Sequence, residues 1–192
     1  MDVTAKSKRR GRASVCAGAA RILKVAESLF ADKGFSAVSM STIAKKAKVS
    51  KANIYHHFKT KEDLYLAILR QAGDEIAYLL ESLNVQRKSA IERLEVFLIT
   101  HLKILMRQEN VTKLLLREVM EGSPKRQRDI VKKGFSKPFS YLVKIIREGQ
   151  KSGELRANID PSVIATMFIS VNVFYFQNSH MLGYLPEVKF AN

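Results

Sequence analysis

The chain has 192 residues, a formal charge of +15, and nearly half of its residues are hydrophobic. That excludes general disorder and allows one large domain or two modest ones, while a single cysteine, Cys16, excludes an internal disulfide and suits a reducing cytosol. The charge is uneven: residues 1–61 hold fourteen Lys or Arg against three Asp or Glu, and residues 62–192 hold nineteen against fifteen, so the N-terminal third favours a polyanion, either nucleic acid or an anionic membrane surface.

In chain order, residues 1–14 contain Lys6, Lys8, Arg9, Arg10 and Arg12 without an apolar period, and read as a flexible basic arm. From Ala17 the pattern turns helical. Ile22, Val25, Ala26, Leu29 and Phe30 fall on one face, and Gly34 ends the helix as a left-handed residue. Ser39 caps a short second helix carrying Ile43, Ala44 and Ala47 inward. Val49-Ser50 makes a turn, and Ser50 caps a third short helix with Ile54, Tyr55 and Phe58. Thr60 to Asp63 has the form of a capping box opening a long fourth helix, from about Lys61 to Leu83.

Helical periods continue over Ala90–Glu109, Val111–Glu121, Pro124–Lys151 and Pro161–Leu182, with breaks at Gly122-Ser123-Pro124 and Asn158 to Pro161. No alternating strand pattern or internal repeat interrupts them. The expected fold class is all-α: an N-terminal three-helix head containing a helix-turn-helix, then a larger helical bundle.

Other compartments and chemistries find little support. The most apolar stretch, Val163 to Phe176, is broken by Thr166, Ser170 and Asn172 and is too short to span a bilayer. Arg9-Arg10 and the residues around Cys16 lack the apolar region of a secretion signal, so a cytoplasmic location is expected. His56 and His57 are helix neighbours that point apart, and no further ligand has metal spacing. Glu62 and Asp63 are explained by the helix dipole. Neither a metal, a cofactor nor a nucleophile–base pair is expected, and the chain does not read as an enzyme.

Two short helices joined by a tight turn, the second with a basic surface, form the geometry that enters a major groove. Lysine donates to guanine O6 and N7, asparagine pairs with adenine N6 and N7, and tyrosine, serine, threonine and histidine contact phosphates. The run IAKKAKVSKANIYHHFKTKEDL resembles the signature of the TetR (tetracycline-repressor-like) transcriptional regulators, I-A-x-x-A-G-V-S, four variable residues, Y-x-H-F-x-x-K-x-x-L. It matches at Ile43, Ala44, Ala47, Val49, Ser50, Tyr55, His57, Phe58, Lys61 and Leu64, and ILKVAESLFADKGF resembles the family's first helix. The chain departs from the pattern at Lys48, where glycine is usual. Glycine tolerates positive φ there, and lysine does so with strain.

The resemblance implies a DNA-binding domain over residues 15–75 and an effector-binding and dimerisation domain over 76–192. It implies that Tyr55, His57 and Lys61 hold phosphates, that Lys51, Ala52, Asn53 and His56 face bases, and that Ser39, Ser41 and Thr42 meet the backbone. The expected partners are a palindromic double-stranded operator, a second copy of the chain and a small, partly apolar effector, with no membrane. The implied function is a repressor released by that effector. The alternative is an architectural or nucleoid-associated DNA-binding protein without a ligand.

Ligand candidates are Phe97, His101, Leu105, Met120, Tyr141, Met167, Phe168, Asn172 and Tyr175, which line a cavity or form ordinary core. Val163–Leu182 is apolar around much of its circumference and calls for cover on several sides, as a second subunit would give. Family members commonly carry a further long helix where this chain ends at Asn192. Either the chain is truncated, or its interface is built differently.

Overall fold

A computed structural model describes residues 3–85 and 88–185, with side-chain placement from Gly18 onward. The described residues form α1 (Val3–Ala37), α2 (Met40–Ala47), α3 (Lys51–His57), α4 (Lys61–Asn84), α5 (Ala90–Arg107), α6 (Glu109–Glu121), α7 (Pro124–Ile130), α8 (Ser136–Lys151) and α9 (Pro161–Leu182). A π-helical turn, Val131–Phe135, joins α7 to α8. No strand occurs among the described residues, so the all-α expectation holds.

The caps follow the sequence. Ser39 and Ser50 accept from the backbone N–H of Thr42 and Asn53, each at 3.1 Å. Thr60 and Asp63 exchange side-chain-to-backbone bonds of 3.0 and 3.1 Å, the capping box that starts α4. These bonds satisfy amides that a helix start leaves without partners. Lys48 stands at φ 53°, ψ 46° between α2 and α3, so the turn keeps the left-handed geometry although its residue is lysine. Replacing Lys48 by glycine is therefore expected to stabilise the chain by about 1 kcal/mol, read as a higher urea midpoint. An unchanged midpoint would show that the strain is absorbed elsewhere.

Two features differ from the sequence reading. The first helix starts at Val3, so the backbone of the basic segment continues α1; Met1 and Asp2 lie outside the described residues. Alanine, lysine and arginine are good helix formers, and extending a packed helix avoids the cost of nucleation. Gly34 takes positive φ (80°) as expected, but it kinks α1, and helical turns resume to Ala37.

The second difference lies in the expected helix Pro124–Lys151, which is split by the π-turn. There Gly134 meets Gly73 of α4 so closely that a Cβ on Gly73 would stand 2.2 Å from the Gly134 carbonyl oxygen. A backbone-to-backbone approach of this kind needs glycine, and the wider turn accommodates it.

The interior has two cores. One joins α1–α3 and the first half of α4, through Ala72, to Val111 and Leu114 of α6 and Ile130 of α7. The other starts at Ile76 of α4 and takes in α5, α8 and Ala165 of α9. Helix α4 is thus shared by both, with its recognition end in the first core and its C-terminal end in the second.

Candidate nucleic-acid interface

Helix α3 is anchored by Ile54, which is fully buried, and by half-buried Phe58. Ile43, Ala44 and Ala47 of α2 are buried against it and against α1. With its apolar side committed, the other side of α3 faces solvent: Lys51, Ala52, Asn53, Tyr55 and His56 are exposed. Ser39, Ser41 and Thr42 are exposed at the start of α2, and the Ser39 and Thr42 hydroxyls lie 2.9 Å apart. The structure brings these predicted DNA contacts onto neighbouring elements of the head.

Lys45 and Lys46 of α2 and Lys59, just after α3, are also exposed and were not among the predicted contacts. Their signal was present in the sequence, because no acidic residue lies between Asp32 and Glu62. Such a field attracts phosphate without regard to sequence.

His57 and Lys61 are half-buried. The His57 ring reaches back toward α1, its Nε2 lying 3.9 Å from where a Cβ on Gly18 would stand. Lys61 turns inward. Its Nζ donates to the carbonyls of Phe35 (2.9 Å) and Val38 (3.0 Å) and sits 4.3 Å from the centre of the Phe35 ring. The kink at Gly34 interrupts the helical ladder, and Lys61 caps carbonyls beyond it. Lys61→Met is therefore expected to cost about 1–3 kcal/mol of folding stability and to leave the salt dependence of DNA binding unchanged. A fall of about one in the salt slope would instead assign Lys61 to a phosphate.

The same Phe35 ring lies 4.6 Å from the Arg126 guanidinium of α7. Arg126 Nε is 2.8 Å from both carboxylate oxygens of Glu118, a buried residue of α6. The Tyr65 hydroxyl of α4 donates to Glu118 at 3.4 Å. Burial, then the Glu118 charge, push the Tyr65 phenol well above its ordinary pKa, so it stays a donor. Side-chain contacts thus run from α6 and α7 through Phe35 to the first residue of α4, beside α3.

The predicted ligand residues do not form one site. Phe97, His101, Leu105 and Asn172 are buried. The Asn172 amide donates to the Leu98 carbonyl (2.9 Å) and lies 3.0 Å from His101 Nδ1, and His101 stacks on Phe97. Phe97, His101 and Asn172 tie α5 to α9 as packed core. Met120 and Met167 are exposed on α6 and α9, far from burial, because the apolar period of each helix exceeds the face its neighbours cover. Phe168 packs half-buried against the second core, Tyr175 is half-buried, and Tyr141 donates to Glu81 at 3.3 Å. Among the described residues no group of three His, Cys, Asp or Glu is placed to hold a metal, and no helix is long and apolar enough to cross a membrane.

The head is a helix-turn-helix with an exposed basic second helix, mounted on a bundle through α4. Together they define a DNA-binding transcriptional regulator. The family model for bacterial regulatory proteins of the tetR family matches residues 22–68, and that for the tetracyclin repressor-like C-terminal domain matches residues 88–192. The chain belongs to the tetR family.

Among its relatives, the fatty acid metabolism regulator protein of Bacillus subtilis is 28% identical over 73% of this chain and 72% of its own length. The transcriptional repressor KstR2 of Mycolicibacterium smegmatis is 24% identical over 74% and 70%. In structure, FadR of Bacillus subtilis in complex with stearoyl-CoA aligns with a TM-score of 0.74 at 23% identity, covering 86% of this chain and 88% of that one.

Proposed function

We propose that the protein is a homodimeric repressor that binds a palindromic operator through α3 and is released by an acyl thioester of coenzyme A. The observation that carries the DNA half is the exposed, acid-free surface of α2 and α3 at the end of a helix that reaches both cores. The fatty acid regulator among the relatives, and the stearoyl-CoA held by a protein of the same fold, support the effector class. Val163, Met167, Val171, Phe174 and Met181 leave a solvent-exposed apolar stripe on α9, which supports pairing with a second copy.

Two heads then meet half-sites about 34–36 Å apart, or a multiple of a helical turn. A shift of α4 at its bundle end alters that separation without unfolding either head. Linkage requires operator and effector to weaken each other by the same factor. An architectural protein with the same head would bind DNA and ignore the effector.

The test begins with an operator selected from random DNA. Asn53→Ala should cost roughly 1–3 kcal/mol on that operator and relax the preference at one base pair. Stearoyl-CoA should release the wild-type complex. Equal losses on operator and random DNA would remove the base-reading role of Asn53, and retention of the operator at saturating stearoyl-CoA would favour the architectural reading.

A further inference from the structure

Between α6 and α7 lies an open slot of about 260 Å³, lined by Leu115, Glu118, Val119, Gln127, Ile130 and Val131. Most of that lining is hydrocarbon. Glu118 is engaged by Arg126, and the Gln127 amide donates to the carbonyls of Glu118 (2.8 Å) and Val119 (3.4 Å). Val119 and Val131 are nevertheless 71% and 55% exposed, and the adjacent Met120 is 81% exposed. The slot therefore offers apolar surface with its polar groups already satisfied, which suits an alkyl chain.

The charge beside it is equally specific. Lys125, Arg128 and Lys132 are exposed, and none has a carboxylate within ion-pair distance among the described residues. In the same segment Arg126 is taken by Glu118, and Lys133 lies 4.0 Å from Asp129. Arg128 and Lys132 each directly follow a slot residue, Gln127 and Val131, and within α7 that places Arg128 about 100° further round the helix. An apolar slot flanked by uncompensated cations matches an acyl chain with an anionic head.

We infer that this slot is the effector site, holding the acyl chain between α6 and α7 with the anionic head against Arg128 and Lys132. The inference rests on the reading of an acyl-responsive repressor. It places the ligand outside the packed α5–α9 core around His101, at a position wired to the DNA head. Glu118 and Gln127 are slot walls. Glu118 holds Arg126, Arg126 lies on Phe35, and Lys61 at the start of α4 lies on the same ring. A chain wedged into the slot spreads α6 from α7, opens the Gln127 clasp and shifts that row of contacts.

The experiment uses the full chain with three probes: dodecanoyl-CoA, dodecanoate and coenzyme A alone. Binding is followed by titration calorimetry, and release by operator retention. Val119→Trp obstructs the slot and Val119→Glu makes its mouth repel an anion. Both change one surface position, and retained operator affinity certifies the fold. Each is expected to weaken dodecanoyl-CoA at least tenfold while leaving operator affinity unchanged. Arg128→Gln with Lys132→Gln should weaken it as well.

Equal binding of dodecanoate and dodecanoyl-CoA would support the slot with a carboxylate head. Dodecanoate much weaker than its ester would support the slot with the nucleotide phosphates as head. Coenzyme A alone binding as tightly as the ester would overturn the acyl slot. Wild-type release by dodecanoyl-CoA that persists unchanged in both Val119 variants would overturn the slot and leave the acyl-responsive reading standing. Failure of both dodecanoyl-CoA and dodecanoate to bind or release the wild type would overturn both.

Discussion

Replacing Val171 and Phe174 together by glutamate is expected to yield a folded monomer whose operator affinity is lower by roughly 10²–10⁴-fold. The two residues are 59% and 58% exposed and share a stripe of α9 with Val163, Met167 and Met181. The other side of α9 is already fixed: Ala165 and Asn172 are buried, and Asn172 bonds across to α5. The substitutions therefore touch only the uncovered side. In a dimer, paired heads make the second half-site contact intramolecular, and that advantage disappears in a monomer. Two carboxylates in a dry interface also bring desolvation and like-charge repulsion. Sedimentation velocity reads the assembly and gel retardation reads the affinity. A variant that remains dimeric would place the interface elsewhere.

The head was legible because its signals are local. Ser39, Ser50 and Thr60 each lie within three residues of the amide they cap, and Lys48 sits in a turn whose geometry the spacing of α2 and α3 dictates. The bundle was less so. Periodicity reports that Phe97, Leu105, Met120 and Met167 are apolar, but not which neighbour covers them. Met120 and Met167 lie on faces left open, while Phe97 and Leu105 are closed core. The π-turn at Val131–Phe135 accompanies the contact between Gly134 and Gly73, about sixty positions apart in the chain, which no window of local sequence contains.

Lys61 shows the same limit at one atom. Its position in the motif marks it as a phosphate ligand, and nothing local shows that its Nζ also donates to the carbonyls of Phe35 and Val38, just beyond the kink at Gly34. The exposure of Lys51, Asn53, Tyr55 and His56 on the open side of α3 depends on helical phase and could be read. The partial burial of His57 and Lys61 depends on where α1 passes, a tertiary fact.

Lowering the pH from 6.5 toward 4 is expected to remove about 3 kcal/mol of folding stability through His101 alone. Burial between α5 and α9 pushes its imidazole down from 6.5 to about 4, and its Nδ1 lies 3.0 Å from the Asn172 amide nitrogen, in acceptor geometry that a protonated ring cannot offer. In the unfolded chain the same imidazole takes a proton near its ordinary value. Above about pH 6.5 both states are neutral, and the stability is fully present. Between 6.5 and 4 the unfolded state binds more protons than the folded one, so stability falls with pH. Below about 4 both are protonated and the loss is complete. For a chain of this length the loss corresponds to a melting temperature lower by roughly 6–12 °C. Carboxylates titrate over part of this window, so the measurement is a difference: melting curves of wild type and His101→Gln from pH 7.5 to 4.5. Glutamine keeps a polar group toward Asn172 without a proton to gain, and its curve should be the flatter of the two above pH 5. Because Asn172 lies on the helix that carries Val171 and Phe174, protonation of His101 should also loosen the dimer, and sedimentation near pH 4, where the folded ring takes its proton, should show more monomer for wild type than for the variant. Parallel curves and equal monomer fractions would show that His101 is protonated in the folded chain without cost.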